Sequence, residues 1–350
     1  MRILFVTGNM DESHGGGQAS QRNYHALETF SEVDVYQIIK KSTAHTLFSI
    51  IEGIYPPCSR TDVRKLRKIM EKKKYDIVFV DRAFFGLVVK EAKKCGMRVA
   101  VFFHNCEHDY NMVRFADRRT LKSVIYQYLV DKAEKQTVMY SDYKMVFTER
   151  DRGRIENLYS TKVDAVVPIG MIDRFDDRSK LSEDNNERYC LLFGPCLTAN
   201  KTGYEWFVKN VSPKLNCKTL VAGKGFERYI KEWETDKVQV KGFVANINIL
   251  YNKAACVAIP LFSGGGMKIK TSEALMFGKY IFGTEEAFIG YDLEYDTIGA
   301  LCSTADEFIQ SINMLLGSKM DFFNTDARQI FLDKYEMSCG AKIFKQILGN

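Results

Sequence analysis

The chain has no run of about 18 uninterrupted apolar residues, the length a membrane-spanning helix requires, so none is expected. Met1-Arg2 leads straight into the apolar Ile3–Thr7 without the regions of a signal peptide, and a cytoplasmic location is expected. The nine cysteines are scattered and include no C-x-x-C pair. Neither a disulfide framework nor a cysteine zinc site is indicated, and reduced, mostly buried thiols are expected. Charge imbalance is missing everywhere but in one place. The net charge of +6 equals that of Arg60–Lys74, where eight Lys and Arg stand against Asp62 and Glu71. A balanced remainder argues against a broad nucleic-acid-binding surface. The G-x-G-x-x-G dinucleotide fingerprint and any sequence-level repeat are also absent.

What is present describes an ordinary globular protein, with 46% apolar and 27% charged residues. At 350 residues the chain is longer than one core usually grows, so two domains are expected. Apolar runs at Ile3–Thr7, Val33–Ile38, Asp76–Val80, Met97–Phe103, Lys144–Phe147 and Val163–Val167 read as strands. Helical patterns at Ala19–Phe30, Ala83–Cys95 and Ser123–Tyr140 separate them. Residues 172–187 are polar and aperiodic, as a linker would be. Alternation resumes with strands at Tyr189–Phe193, Thr219–Ala222, Val238–Val240, Ala254–Ile259 and Tyr280–Gly283. Ala305–Leu316 and Asp326–Leu348 read as helices. Such alternation predicts an α/β protein with two doubly wound parallel sheets, residues 1–171 and 188–325. Ligands of open α/β sheets sit beyond the carboxyl ends of the strands, so the cleft between two such domains is the expected site.

The most informative stretch is Pro260–Thr284, PLFSGGGMKIKTSEALMFGKYIFGT. A buried strand, three glycines, a cationic segment and a helical pattern follow one another, with Lys268, Lys270 and Glu273 near the helix start. Unpaired helix amides, the macrodipole and the lysines all favour an anion there. Glu273, one turn after Lys270, suits sugar hydroxyls better than phosphate. A phosphate beside a ribose points to a nucleotide.

Other spots lie after strands. Gly15, Gly16 and Gly17 form part of a glycine-rich loop, Gly8–Gly17, whose amides could contact a diphosphate. His104 ends a strand, where a histidine is placed to meet substrate. His104-Asn105-Cys106-Glu107-His108 also spells H-x-x-E-H, a zinc-peptidase pattern. That pattern needs a helix, whereas a strand runs directly into His104, and the match reads as accidental. Thr148 and Asp151 have capping-box spacing. Glu149 is either a first-turn carboxylate or a ligand for an acceptor hydroxyl. Lys224, in Ala222-Gly223-Lys224-Gly225, reads equally as part of a nucleotide pocket and as an exposed turn lysine.

Together these motifs resemble the retaining glycosyltransferases of the GT-B fold, group 1 or family 4, which include sucrose-phosphate and mannosyl-phosphoinositide synthases. The resemblance spans nearly the whole chain. It rests on Gly15–Gly17, F-H-N at Phe103–Asn105, F-T-E-R-D at Phe147–Asp151, P-x-G at Pro168–Gly170 and G-G-G-x-K-x-K-x-x-E-A-L-x-x-G-K at Gly264–Lys279. It implies two Rossmann-like domains facing across a cleft, with a nucleotide-diphospho-sugar bound mainly by the C-terminal one. It also implies that residues 326–350 cross back to the first domain. By position, Glu273 would hold ribose hydroxyls, and Lys270 with the backbone of Gly264, Gly265, Gly266 and Met267 would hold diphosphate or sugar. Gly16 and Gly17 would close over the diphosphate, and His104 would contact the transferred sugar. Retention by same-face attack would need neither an enzymic nucleophile nor a metal, because cationic side chains take the metal's place.

Two departures stand out. The family pairs two glutamates eight positions apart, and Gly265 stands eight before Glu273. After Leu191–Pro195 the chain reads CLTANKTG, so Lys201 is the candidate for a missing donor-site cation. The expected activity is hexose transfer from a UDP- or GDP-sugar to a glycan or lipid-linked acceptor, in polysaccharide or glycoconjugate biosynthesis. A catalytically silent subunit that stabilises a partner transferase is the alternative. His45–Pro57, rich in bulky apolar side chains, precedes the basic segment. The pair reads either as a core segment with a solvated helix or as a contact with anionic membrane.

Overall fold

The computed structural model describes residues 1–11, 15–39, 42–115, 120–176, 188–264 and 266–349. The chain forms two compact units, Met1–Gly170 with Met337–Asn350, and Met171–Glu336. The first holds the strands β1 Arg2–Thr7, β2 Glu32–Gln37, β3 Ile77–Val80, β4 Arg98–Phe103, β5 Tyr143–Val146 and β6 Ala165–Val166. The second holds β7 Tyr189–Phe193, β8 Lys218–Ala222, β9 Val238–Lys241, β10 Ala254–Ile259, β11 Tyr280–Gly283 and β12 Gly299–Leu301. Each set makes one parallel sheet, ordered β2-β1-β3-β4-β5-β6 and β12-β11-β10-β7-β8-β9. Parallel sheets need both faces covered, which is why β3 and β10 are apolar and buried along their whole length.

Strand order reverses between β1 and β3 in the first sheet and between β7 and β10 in the second. At such a reversal the flanking helices leave on opposite faces and open a crevice at the strand ends. Register fixes the crevice walls. Val6 pairs with Val80 across β1 and β3, and Cys256 of β10 pairs with Cys190 of β7.

Several expectations change. Gly15–Gly17 is not loop but the first turn of the helix Gly15–Glu28, and a Cβ on Gly17 would lie 1.9 Å from the Asp11 carbonyl oxygen. The three-residue β12 and the helix Glu107–Arg114 were not anticipated. Asp326–Leu348 is not one helix. Thr325–Ile330 passes through a π turn, Phe331–Tyr335, before Glu336 extends and pairs with Met171. Helix Met337–Leu348 then belongs to the first unit, where Phe344 meets Phe79 and Phe102 edge-on at 5.6 and 5.9 Å. Of the expected linker, residues 177–187 lie outside the described residues.

The apolar segment before the basic run is not simply core. It forms the helix Thr43–Ile51, capped by Ser42, and Leu47, Phe48 and Ile51 are 58, 67 and 71% exposed. Helix Arg60–Lys72 buries Val63, Leu66, Met70 and one of its two acidic residues, Asp62, which accepts from Ser59, while Glu71 stays exposed. Its outward face is therefore more basic than its composition. Among the described residues no helix is long and apolar enough to cross a membrane.

Candidate functional site

In the second unit the β7/β10 crevice is built around Lys270. The helix Thr198–Asn210 leaves β7, and the helix Ile269–Met276 follows β10. Lys270 Nζ donates to Asn200 Oδ1 and, at 3.0 Å, to the Tyr204 hydroxyl. The Tyr204 hydroxyl donates to the Phe193 carbonyl at 2.6 Å, and Asn200 donates to the Pro195 carbonyl at 2.7 Å. Both partners are thus fixed to the end of β7 before the ammonium arrives. Burial lowers the Lys270 pKa to about 7; Glu273 opposes the shift and Lys268 adds to it. An enclosed cation near half-charge at neutral pH is poised to be fully charged by an anion.

This has a pH consequence. Lys270 in the free protein holds less than a full proton above pH 7, and a bound diphosphate would restore it. Diphosphate binding at pH 8 is therefore expected to take up a proton, and affinity should weaken as pH rises above about 7, by at most about tenfold per unit. Calorimetry in buffers of different ionisation enthalpy checks this, and Lys270→Met should abolish the uptake.

Glu273 sits one turn on. Its Oε2 accepts from the Tyr251 hydroxyl at 3.1 Å, and the Tyr251 ring stacks on Phe277 at 4.7 Å. Lys270 and Glu273 are thus brought to one helix start, with no side-chain cap at Lys268. First-turn amides there suit an anion. Lys268 itself is spent on Glu286 Oε1 at 2.6 Å and the Gly266 carbonyl at 2.8 Å, so its charge is balanced within the chain. Gly264 and Gly266 have φ of +159° and +58°, Met267 is buried, and Gly265 lies outside the described residues.

The helix Thr198–Asn210 approaches the loop after β10 because Gly203 lacks a side chain. A Cβ there would lie 1.8 Å from the Pro260 carbonyl oxygen. Gly203→Ala is expected to cost about 1–3 kcal/mol, as overpacking does, read as a lowered denaturation midpoint. Lys201, on the same helix, ion-pairs with Glu205. Lys224 is exposed in the turn between Gly223 and Gly225, which have φ of +147° and +97°. Just past the end of β9 stands a residue that sequence patterning missed, Phe243, with 74% of its surface exposed.

In the first unit the β1/β3 crevice holds Asp81, which sequence reading also passed over. Asp81 follows β3, and its fully buried carboxylate takes three donors: Asn23 Nδ2 at 2.7 Å and His104 Nε2 at 3.0 Å on Oδ1, and Thr7 Oγ1 at 3.1 Å on Oδ2. Burial would raise the Asp81 pKa, but the charge and hydrogen bond of His104, the Arg82 charge and Ser20 outweigh it, and the net shift is down. His104 is shifted down by burial and by Arg82, against the pull of Asp81. Burial and Arg82 disfavour the same His104 charge that would lower Asp81, and with His104 either neutral or charged its Nε2–H donates to an ionised Asp81. Arg82 donates to the Gly16 carbonyl at 2.6 Å and to Ser20 Oγ at 3.0 Å. The glycine turn and His104 are therefore both tied to the end of β3, Gly16 through Arg82 and His104 through Asp81.

The H-x-x-E-H residues part company. His108 pairs with Asp131 at 2.9 Å, away from His104 on Asp81. Glu107 is buried and raised to about 8 by burial and by Glu134, whose carboxylate caps the helix by accepting the Glu107 and His108 amides at 2.7 and 3.1 Å. Among the described residues no group of three or more His, Cys, Asp or Glu is placed to hold a metal ion. Thr148 caps its helix through the Asp151 amide at 3.0 Å, and the first-turn Glu149 pairs with the side chain of Arg152.

Residues 187–318 match the family model described as Glycosyl transferases group 1. Solved structures share the fold over the whole chain. Sucrose-phosphate synthase from Thermosynechococcus elongatus is 12% identical with a TM-score of 0.75, covering 99% of this chain and 98% of that one. Anabaena HepE, solved with UDP and glucose, is 12% identical with a TM-score of 0.68, covering 100% and 99%. The α,α-trehalose 6-phosphate synthase of Burkholderia multivorans is 12% identical with a TM-score of 0.64, covering 100% and 96%. No curated protein sequence matches the chain.

Proposed function

We propose that this chain, GT-B in fold and matched over residues 187–318 by the group 1 glycosyltransferase model, is a glycosyltransferase that moves a hexose from a UDP- or GDP-sugar to a glycan or lipid-linked acceptor with retention of configuration. The observation that carries the reading is Lys270, held by Asn200 and Tyr204 at the strand-order reversal of β7 and β10, one turn before Glu273. HepE, which shares the fold, was solved with UDP-glucose.

In this reading the Ile269–Met276 amides and Lys270 hold the diphosphate, Glu273 takes the ribose hydroxyls, and Phe243 offers a face to the base. As the bond from anomeric carbon to diphosphate oxygen breaks, negative charge grows on the leaving group, and fixed donors aimed at it lower the barrier. The acceptor oxygen bonds the same face of the anomeric carbon, and its proton passes to the departing phosphate oxygen. No metal enters; Lys270 supplies positive charge in its place. His104, oriented by Asp81, meets the transferred hexose. The protein works in the cytoplasm, in polysaccharide or glycoconjugate synthesis, resting on anionic membrane through the helices Thr43–Ile51 and Arg60–Lys72.

A silent, partner-stabilising subunit is the second reading, favoured by Lys201 and Lys268 each being balanced by a carboxylate of the chain itself. A thermal-shift panel of nucleotide sugars separates the two. A ligand at 100 times its dissociation constant stabilises by about 2.7 kcal/mol, so a UDP- or GDP-sugar should raise the melting temperature. A flat response across the panel would support the silent reading.

A further inference from the structure

The first unit carries a cavity of about 370 Å³ between the chain segment Glu52–Cys58 and the helices Arg60–Lys72, Gly86–Lys94 and Leu121–Tyr140. It is walled by helix faces and includes none of the strand-end residues assigned above. Its apolar wall is made by Tyr55, Phe84, Leu87 and Leu129, with the Tyr55 and Phe84 rings 5.4 Å apart. Four cations, Arg60, Arg64, Lys94 and Lys132, share the lining with only two carboxylates, Glu52 and Glu91. Both carboxylates are already engaged. Glu52 faces Arg60 at 3.6 Å, and Glu91 is taken by Arg67, which does not line the cavity. Lys94 stands 3.9 Å from Glu91, and Lys132 reaches the Gly53 carbonyl at 3.1 Å, which leaves its full charge in place. The lining thus joins an uncompensated positive rim to an aromatic and aliphatic wall.

What lies beside it gives the occupant its form. Glu52 and Gly53 directly continue the helix Thr43–Ile51, which exposes Leu47, Phe48 and Ile51, and helix Arg60–Lys72 turns its cationic face outward on the other side. An apolar helix face flanked by cations fits the boundary between headgroups and acyl chains. We propose that the cavity binds one anionic phospholipid, with its phosphate among Arg64, Lys94 and Lys132 and the first part of its acyl chain against Tyr55, Phe84 and Leu87. The inference rests on the membrane reading above. It adds a stoichiometric lipid site to a diffuse surface attraction, and charge complementarity sets its preference for acidic over zwitterionic headgroups.

The test uses the full chain and a short-chain phosphatidylglycerol kept monomeric, titrated by calorimetry beside short-chain phosphatidylcholine and inorganic phosphate. One saturable site is expected for phosphatidylglycerol, at least tenfold weaker binding for phosphatidylcholine and no saturation by phosphate. The double variant Arg64→Glu, Lys132→Glu should weaken phosphatidylglycerol at least tenfold while leaving donor-sugar hydrolysis unchanged. Arg64→Gln, Lys132→Gln serves if the charge reversal does not fold, with the same direction expected. Phe48→Ser should spare the monomeric lipid but reduce pelleting with phosphatidylglycerol vesicles. Equal binding of the two lipids, full competition by phosphate, or indifference of both double variants would overturn the site. Pelleting of wild-type protein without monomer binding would also sink it and leave the membrane reading standing. Monomer binding without pelleting supports the site and defeats that reading.

Discussion

Lys270→Ala is expected to lower the rate of sugar transfer by about 10²–10³-fold, the loss that follows removal of one preorganised donor to a developing negative charge. Lys270 is singled out because, among the described residues, neutral groups hold it: Asn200 and Tyr204 accept from it while anchored to β7. The loss can be told from unfolding. A lysine lowered to about 7 destabilises the folded state at neutral pH, because the unfolded chain binds the proton more tightly up to the ordinary value of 10.5. Stability of the wild type should accordingly rise with pH between about 7 and 10.5, and Lys270→Met should flatten that rise while remaining at least as stable at pH 7. Single-turnover rates alongside pH-dependent denaturation check both halves.

Asp81→Ala is expected to destabilise the first unit by about 2–6 kcal/mol, because buried Asn23 and His104 each lose the acceptor they donate to, at about 1–3 kcal/mol per group. Thr7 keeps Ser20 Oγ as a second acceptor at 3.1 Å, whereas Arg82 would lose a neighbouring counter-charge. Asp81→Asn keeps the shape and separates orientation from stability. The amide can keep its oxygen on Asn23 and His104 and turn its NH2 to the Thr7 hydroxyl, so both donors stay paired while His104 loses the negative charge beside it. The expected result is a folded protein with an altered His104 nitrogen spectrum and a reduced transfer rate. Unchanged activity with a changed spectrum would remove His104 from the reaction.

The sheets were legible because buried parallel strands write themselves as uninterrupted apolar runs, as at Ile77–Val80 and Ala254–Ile259. Pro260–Thr284 was legible for a local reason: glycines, lysines and Glu273 lie within one turn-and-helix unit, so sequence spacing is spatial spacing. Partners distant in sequence were not. Lys268 looked like a donor-site cation until the fold brought Glu286 to it. Asp81 reads as one more polar residue after a strand, since Thr7, Asn23 and His104 come from three other elements. A carboxylate directly after a fully buried strand, in a chain with a histidine in the same place on another strand, was the signal available. Helix Glu107–Arg114 was hidden because its cap, Glu134, comes from another helix. The exposed side chains of Thr43–Ile51 were only partly legible, since an apolar run before a basic one reads either as core or as a membrane contact.

The central claim is that the β7/β10 crevice holds a nucleoside diphosphate through Lys270 and Glu273. Titration of UDP and GDP into the wild type, Lys270→Ala and Glu273→Ala tests it most directly. The account predicts saturable binding of one of the two nucleotides by the wild type, weakened at least tenfold in each variant, with the proton uptake at pH 8 lost only in Lys270→Ala. Equal affinity in all three proteins, or no binding of either nucleotide, would contradict it.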